Sequence, residues 1–185
     1  MPLLGVLFYF NTAPRHIPEP VMKAKSFSLA ILTIILPLLT HSLLKTLKKV
    51  DSIYLEDVKQ RIIPLAVNAL IMLLILTRVL PASEFIELYY FFAGILFSTL
   101  ICLILAILRF KVSMHMIGLG GILMFIVALS IHFKINMIGA LAFIILVSGA
   151  VATSRLHLHA HTKTEVLFGF LIGVIPQLLM VSYWL

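Results

Sequence analysis

Six long apolar runs, separated by short polar segments, constrain the fold of this chain more than any other feature. They cover residues 27–46, 61–80, 86–108, 113–133, 135–153 and 165–184. A helix of about 20 predominantly apolar residues is long enough to cross the hydrocarbon core of a bilayer. A mean hydropathy of +1.18 and a hydrophobic content of 62% exclude an ordinary water-soluble domain. We therefore predict an all-α, polytopic membrane protein in which residues 27–185 form a bundle of six transmembrane helices.

The N-terminal segment, residues 1–26, precedes the first predicted span. Its first ten residues are apolar but too few to cross a bilayer, and they lack the positively charged start of a secretory signal. We expect them to lie in the membrane interface or to dock on the bundle. Pro14, Pro18 and Pro20 favour an extended backbone, without a further helix, in the stretch that follows.

Basic residues outnumber acidic ones, 14 to 7, and cluster at the ends of the predicted spans. We therefore expect the bilayer and its anionic lipids, and no nucleic acid, to be the partner. The topology places the segments 47–60, 109–112 and 154–164 on one membrane face, which carries more cations than the other. The positive-inside tendency would put this face in the cytoplasm, but a phosphate site would also collect cations. We expect a plasma or inner membrane protein, and the sequence leaves the side of this face open.

The segment from Ser154 to Glu165 carries the densest set of reactive side chains. Arg155 offers a planar, permanently charged group that suits a phosphate. If the segment were helical, His157, His161 and Glu165 would stack one turn apart. The carboxylate would then fix the tautomer of the imidazole and leave its second nitrogen free as a base or a nucleophile.

Two other interpretations of this segment are open. Thr162 and Glu165 have the spacing of a capping box at the start of the last helix. A tract of alternating histidines, with Glu165 as a further ligand, would instead bind zinc or copper. The tract consists of His157, His159 and His161. Because Arg155 and Lys163 would repel a metal cation at close range, we predict no metal site.

Two further elements lie on the same predicted face. Ser113 and His115 open the fourth span, where the free N–H groups of a helix N-terminus favour an anion. A histidine held there can donate a proton to a leaving alkoxide. Lys59 and Arg61 precede Pro64 at the mouth of the second span and can contact phosphate oxygens, although ordinary boundary cations show the same pattern.

In this order and on one face of the bundle, the three elements resemble the motifs of the type 2 phosphatidic acid phosphatase superfamily of membrane lipid phosphatases. Its third motif is Ser-Arg, five residues, His, three residues and Asp, and the matching residues are Ser154, Arg155, His161 and Glu165. Its second motif, Pro-Ser-Gly-His, is matched in part by Val112, Ser113, Met114 and His115. Its first motif, Lys, six residues and Arg-Pro, is matched loosely by Lys59, Arg61 and Pro64. The resemblance covers residues 55–175.

The resemblance implies a metal-independent phosphatase, without a cofactor, that hydrolyses a phosphomonoester or pyrophosphate of a membrane lipid. His161 would form a phosphohistidine, Glu165 would orient it, and His115 would protonate the leaving oxygen and later activate water. The residues expected to hold the phosphate are Lys59, Arg61, Ser113 and Arg155. Met114 would crowd a turn that the family keeps open with glycine. The alternative is a non-catalytic membrane protein that binds anionic lipid or a metal through the same residues, and the oligomeric state stays open.

Overall fold

The structure is a computed structural model that describes residues 1–15, 17–48 and 58–185. In these residues it has helices and no strands, and six of the helices are long and apolar enough to cross a membrane. With a short N-terminal helix they are α1 Pro2–Thr12, α2 Glu19–Thr46, α3 Val58–Val79, α4 Ile86–Ile107, α5 Met114–Phe133, α6 Ile138–His157 and α7 Lys163–Val181. The predicted all-α bundle of six membrane-spanning helices is confirmed.

The outer faces of the long helices carry large apolar side chains that a water-soluble protein would bury. Leu38 in α2, Leu70 in α3, Ile104 in α4 and Leu146 in α6 are each more than half exposed. Large exposed apolar side chains mark a contact with a membrane or another protein, and six helices long and apolar enough to cross a bilayer decide for the membrane. The chain is therefore an integral membrane protein.

The first membrane-spanning helix begins earlier than predicted. It starts at Glu19, with Pro18 as its N-cap and Pro20 in its first turn. A helix tolerates proline in this turn because the missing N–H has no partner there in any case. The predicted extended backbone through Pro20 is wrong, and residues 19–26 belong to the first span. Most of the loop predicted over 47–60 lies outside the described residues.

The N-terminal helix α1 docks on the bundle. Val6 and Tyr9 on this helix are completely buried in the main hydrophobic core. The side chain of Met1 reaches α5, where a Cβ added to Gly118 would lie 2.6 Å from Met1 Cγ. Of the two positions expected for the first ten residues, the structure therefore has the docked one.

A buried carboxylate holds α1 at the opposite end of the bundle from the predicted site. Glu87, near the start of α4, is 0% exposed. Its Oε2 accepts a hydrogen bond from Tyr9 Oη at 3.0 Å, and its Oε1 accepts one from Arg15 Nη2 at 2.7 Å. His132 Nε2 lies 3.5 Å from the same Oε1. The sequence analysis assigned no role to any of these residues.

Helices α5 and α7 pack closely because glycines face each other between them. A Cβ on Gly173 would collide with the backbone oxygen of Ile117, and one on Gly120 would collide with that of Phe170. Small residues let helix backbones approach in this way inside a membrane. The contact brings the N-terminal ends of α5 and α7 together, and these ends carry most of the predicted site residues.

Candidate active site

Three segments meet at one face of the bundle, as the topology predicts. Arg61, at the start of α3, donates from Nη1 to the backbone oxygen of Val112 at 3.2 Å. The backbone N–H of Ser113, the N-cap of α5, donates to the backbone oxygen of Glu165 at 3.2 Å. These two bonds join the mouth of α3 and the starts of α5 and α7 into one rigid unit.

The segment between α6 and α7 is a turn. Helix α6 ends at His157, and His159 has a φ of 50°, so the backbone reverses before α7 begins at Lys163. The helical stacking considered for His157, His161 and Glu165 is therefore wrong for His157, whose side chain is exposed. Ser154, the first residue of the matched motif, lies on α6 and is exposed as well.

His161 and Glu165 form the central pair of the site. His161 Nδ1 lies 2.8 Å from Glu165 Oε2, and the two side chains are 8% and 18% exposed. The same carboxylate oxygen accepts the backbone N–H of Thr162 at 3.3 Å, while Thr162 Oγ1 accepts the backbone N–H of Glu165. The capping box and the imidazole–carboxylate pair, which the sequence presented as alternatives, are both present. The pair leaves His161 Nε2 free to react.

Burial lowers the pKa of His161, and the nearby charges of Lys111 and Arg61 lower it further. The hydrogen bond to Glu165 and the charge of that carboxylate oppose the shift without reversing it. The lowered pKa favours the neutral imidazole, which is the nucleophilic form. Lys111 was not among the predicted site residues, because a lysine at a span boundary has the same sequence pattern whether or not it faces a site.

His115, on the first turn of α5, contacts Arg155 near the end of α6. Arg155 Nη2 lies 3.2 Å from His115 Nε2. Because a guanidinium has only donors, Nε2 is the acceptor and the ring proton is on Nδ1. His115 also lies within electrostatic range of His161. The two predicted catalytic histidines are thus close together, with a cation beside them.

Two buried polar atoms at this site have no partner among the described residues. They are Ser113 Oγ and Arg155 Nε. Ser113 is 0% exposed, and its hydroxyl caps no backbone N–H of α5. An unpaired buried donor costs about 1–3 kcal/mol. Two unpaired donors beside the N-terminus of a helix can both be satisfied by an anion that has several acceptor oxygens.

The remaining predicted residues lie at the edge of this cluster. Lys59 is exposed on the 3₁₀ turn Val58–Arg61 that opens α3, whereas Arg61 is 7% exposed. His159 is exposed on the turn after α6. In residues 1–15, 17–48 and 58–185, no three His, Cys, Asp or Glu side chains are placed to hold a metal ion.

Comparison of the chain with protein-family models, curated proteins and solved structures finds no match.

Proposed function

We propose that this protein is a membrane-embedded phosphatase that hydrolyses the phosphomonoester or pyrophosphate of a lipid without a metal. One observation carries the proposal. The pair of His161 and Glu165 lies beside His115 and Arg155, where two buried donors have no partner within residues 1–15, 17–48 and 58–185. Phosphoryl transfer needs a positioned nucleophile and neutralised oxygen charge, and this set supplies both.

In the first step, His161 Nε2 attacks phosphorus while the bond from phosphorus to the lipid oxygen breaks. Protonated His115 gives its proton to that departing oxygen, so the lipid leaves as an alcohol or, from a pyrophosphate, as a monophosphate. Glu165 stabilises the positive charge that the imidazole gains on forming the phosphorus–nitrogen bond. The phosphate draws the Arg155 guanidinium onto its oxygens and away from His115 Nε2, and Nε2 then takes a proton from the solvent, which gives the protonated His115 used in this step.

In the second step, His115 takes a proton from water, and the resulting hydroxide attacks phosphorus. The phosphorus–nitrogen bond breaks, inorganic phosphate leaves, and neutral His161 is restored. Arg61, Arg155, the Ser113 hydroxyl and the backbone N–H groups at the start of α5 hold the phosphate through both steps. Lys59, exposed at the mouth of α3, adds attraction for the phosphate as it approaches.

The test is phosphate release from phosphatidic acid, phosphatidylglycerol phosphate and a polyprenyl pyrophosphate by purified protein in lipid nanodiscs, with a chelator present. We expect release from at least one lipid, and none from His161→Ala or His115→Ala. His157→Ala, an exposed histidine next to the same turn, is the matched control and should retain activity. Full activity in His161→Ala would overturn the mechanism. Lipid binding without any phosphate release would favour the non-catalytic alternative.

A further inference from the structure

A cavity of about 290 Å³ lies between the N-terminus of α1 and helices α2 to α5, with one residue of α7 at its wall. Its lining includes Met1, Asn68, Met72, Cys102, Met114 and Gly118. The volume is at the lower end of the range for ligand pockets, roughly 300–1,000 Å³. It suits one slender chain and is too small for a bulky headgroup.

One end of the cavity adjoins the candidate active site. Met114, which lines the cavity, stands between Ser113 and His115 in the sequence. Leu65, also in the lining, follows Arg61 by one helical turn. A lipid whose phosphate occupies the site thus has the cavity as the next open space along its chain. The family's glycine is replaced by Met114, and in this chain that side chain forms part of the cavity wall.

Helix α1 closes one side of the cavity, where Met1 and Pro2 line it. Met1 lies beside Gly118, one helical turn from Met114, so it belongs to the side wall.

The end away from the site is lined by Met72, the last lining residue along α3, and by Phe91, near the start of α4. A Cβ on Gly5 would collide with the ring of Phe91, so α1 supports this end of the cavity. The bond network around Glu87 fixes the other end of α1.

The polar side chains of the lining spend their donors inside the protein. Thr33 and Thr99 donate to backbone oxygens one turn earlier in their own helices, and Ser98 donates to those of Gly94 and Ile172. Gln177 donates to the backbone oxygen of Phe91, and Asn68 donates to Thr99 Oγ1. Water in a cavity needs two to four free polar partners. The three hydroxyl groups and one N–H of each amide are therefore engaged within the protein, and most of the other lining residues are apolar, which favours hydrocarbon.

We propose that this cavity binds one hydrocarbon chain of the lipid substrate and that Met72 and Phe91, at the end away from the site, set the longest chain that fits. The assignment rests on the proposed function, because a phosphate held in the site directs the chain into the cavity. A chain in the bilayer is already out of water, so the preference for the cavity comes from van der Waals contacts with its walls. That preference ends where the chain reaches Met72 and Phe91.

The test uses n-alkyl phosphonates, whose carbon–phosphorus bond is not hydrolysed, in a series from about 4 to 14 carbons. Binding to the full chain in nanodiscs is measured as a rise in Tm. We expect the rise to grow with chain length up to a limit and then to stop. Gly121→Leu adds a side chain to the lining at a position where a Cβ meets only ordinary contacts, the nearest being Gly173 O at 3.7 Å, and should lower the limit. Met72→Val removes side-chain volume from the end away from the site and should raise the limit.

The matched control is Gly149→Leu, because a Cβ at Gly149 meets nothing within 4 Å. It should leave the limit unchanged. An unchanged limit in both cavity variants, or an equal change in the control, would overturn the assignment. The two proposals fail separately. Phosphonate binding with a length limit but no phosphate release from any lipid would refute only the catalytic proposal. Turnover without a length limit would refute only the chain-binding one.

Discussion

Gly169 of α7 offers the sharpest test of how the fold positions the site. A Cβ at this position would lie 2.7 Å from the backbone oxygen of Ser113 and 3.2 Å from its nitrogen. The same nitrogen donates to the backbone oxygen of Glu165, one turn before Gly169. Gly169→Ala therefore inserts a methyl group between the two helix ends that carry the proposed catalytic residues.

The size of the effect follows from the distance. A carbon at 2.7 Å must withdraw by about 0.7 Å to reach ordinary van der Waals contact at 3.4 Å. The contacted atom is backbone, so the whole start of α5 must move, together with His115 and Ser113. A displacement of about 1 Å in an active site can cost about 100-fold in rate. We therefore expect kcat to fall roughly 10- to 100-fold in Gly169→Ala.

The assay is initial-rate phosphate release in nanodiscs, with Tm measured on the same samples. Gly149→Ala is the matched control because its new Cβ meets nothing within 4 Å. Helix propensity alone favours alanine over glycine by about 1 kcal/mol, so the control should keep its activity and keep or raise its Tm. The reasoning would be refuted if Gly169→Ala retained wild-type kcat, or if both variants lost activity equally.

Three further predictions concern charge. Lys111→Met removes a charge that lowers the pKa of His161, so the pKa rises and the acid limb of the kcat/KM profile moves to higher pH. If the acid limb stays at the same pH in Lys111→Met, Lys111 does not act on His161. Glu165→Gln removes the carboxylate charge that raises the pKa of His161, so the acid limb should move to lower pH. We also expect kcat to fall at least about tenfold. A shift of the acid limb to higher pH would contradict this prediction. Glu87→Gln weakens the bonds to Tyr9 and Arg15 and should lower the free energy of unfolding by about 1–3 kcal/mol. Thermal unfolding should show this as a lower Tm. An unchanged Tm would refute the role of Glu87 in anchoring α1.

The sequence predicts the bundle well because hydropathy over about 20 residues is a strong signal for a membrane-spanning helix. The sequence predicts the first residue of a helix less well, because a single residue can determine where a helix begins. Pro20 reads as a helix breaker in the sequence, but in the first turn of α2 its missing N–H costs nothing. The position of α1 depends on long-range bonds to Glu87, and an acidic residue in the first turn of a helix is also what the helix dipole alone would favour.

The meeting of the three segments was predictable because topology alone brings them to one face of the bundle. The bonds of Arg61 to Val112 and of Ser113 to Glu165 show that they meet. The local conformation between α6 and α7 was not predictable from spacing. His157, His161 and Glu165 fit a helical period, yet His159 adopts the left-handed conformation and ends the run. The sequence did not predict Lys111 near His161, because a lysine at the end of a span has the same sequence pattern whether or not it faces a site. The same ambiguity applies to Lys59.

Glu165 makes two contacts at once, and the length of a glutamate side chain allows both. A capping box needs a side chain at its third position that reaches back to the backbone of the N-cap residue, and glutamate has that reach. In this structure Glu165 Oε2 bonds to the Thr162 N–H and to His161 Nδ1 together. The bond that starts helix α7 thereby also fixes the carboxylate that orients the proposed nucleophile. Capping and catalysis are therefore not competing explanations of this residue, because the cap supplies the rigidity that an orienting carboxylate needs.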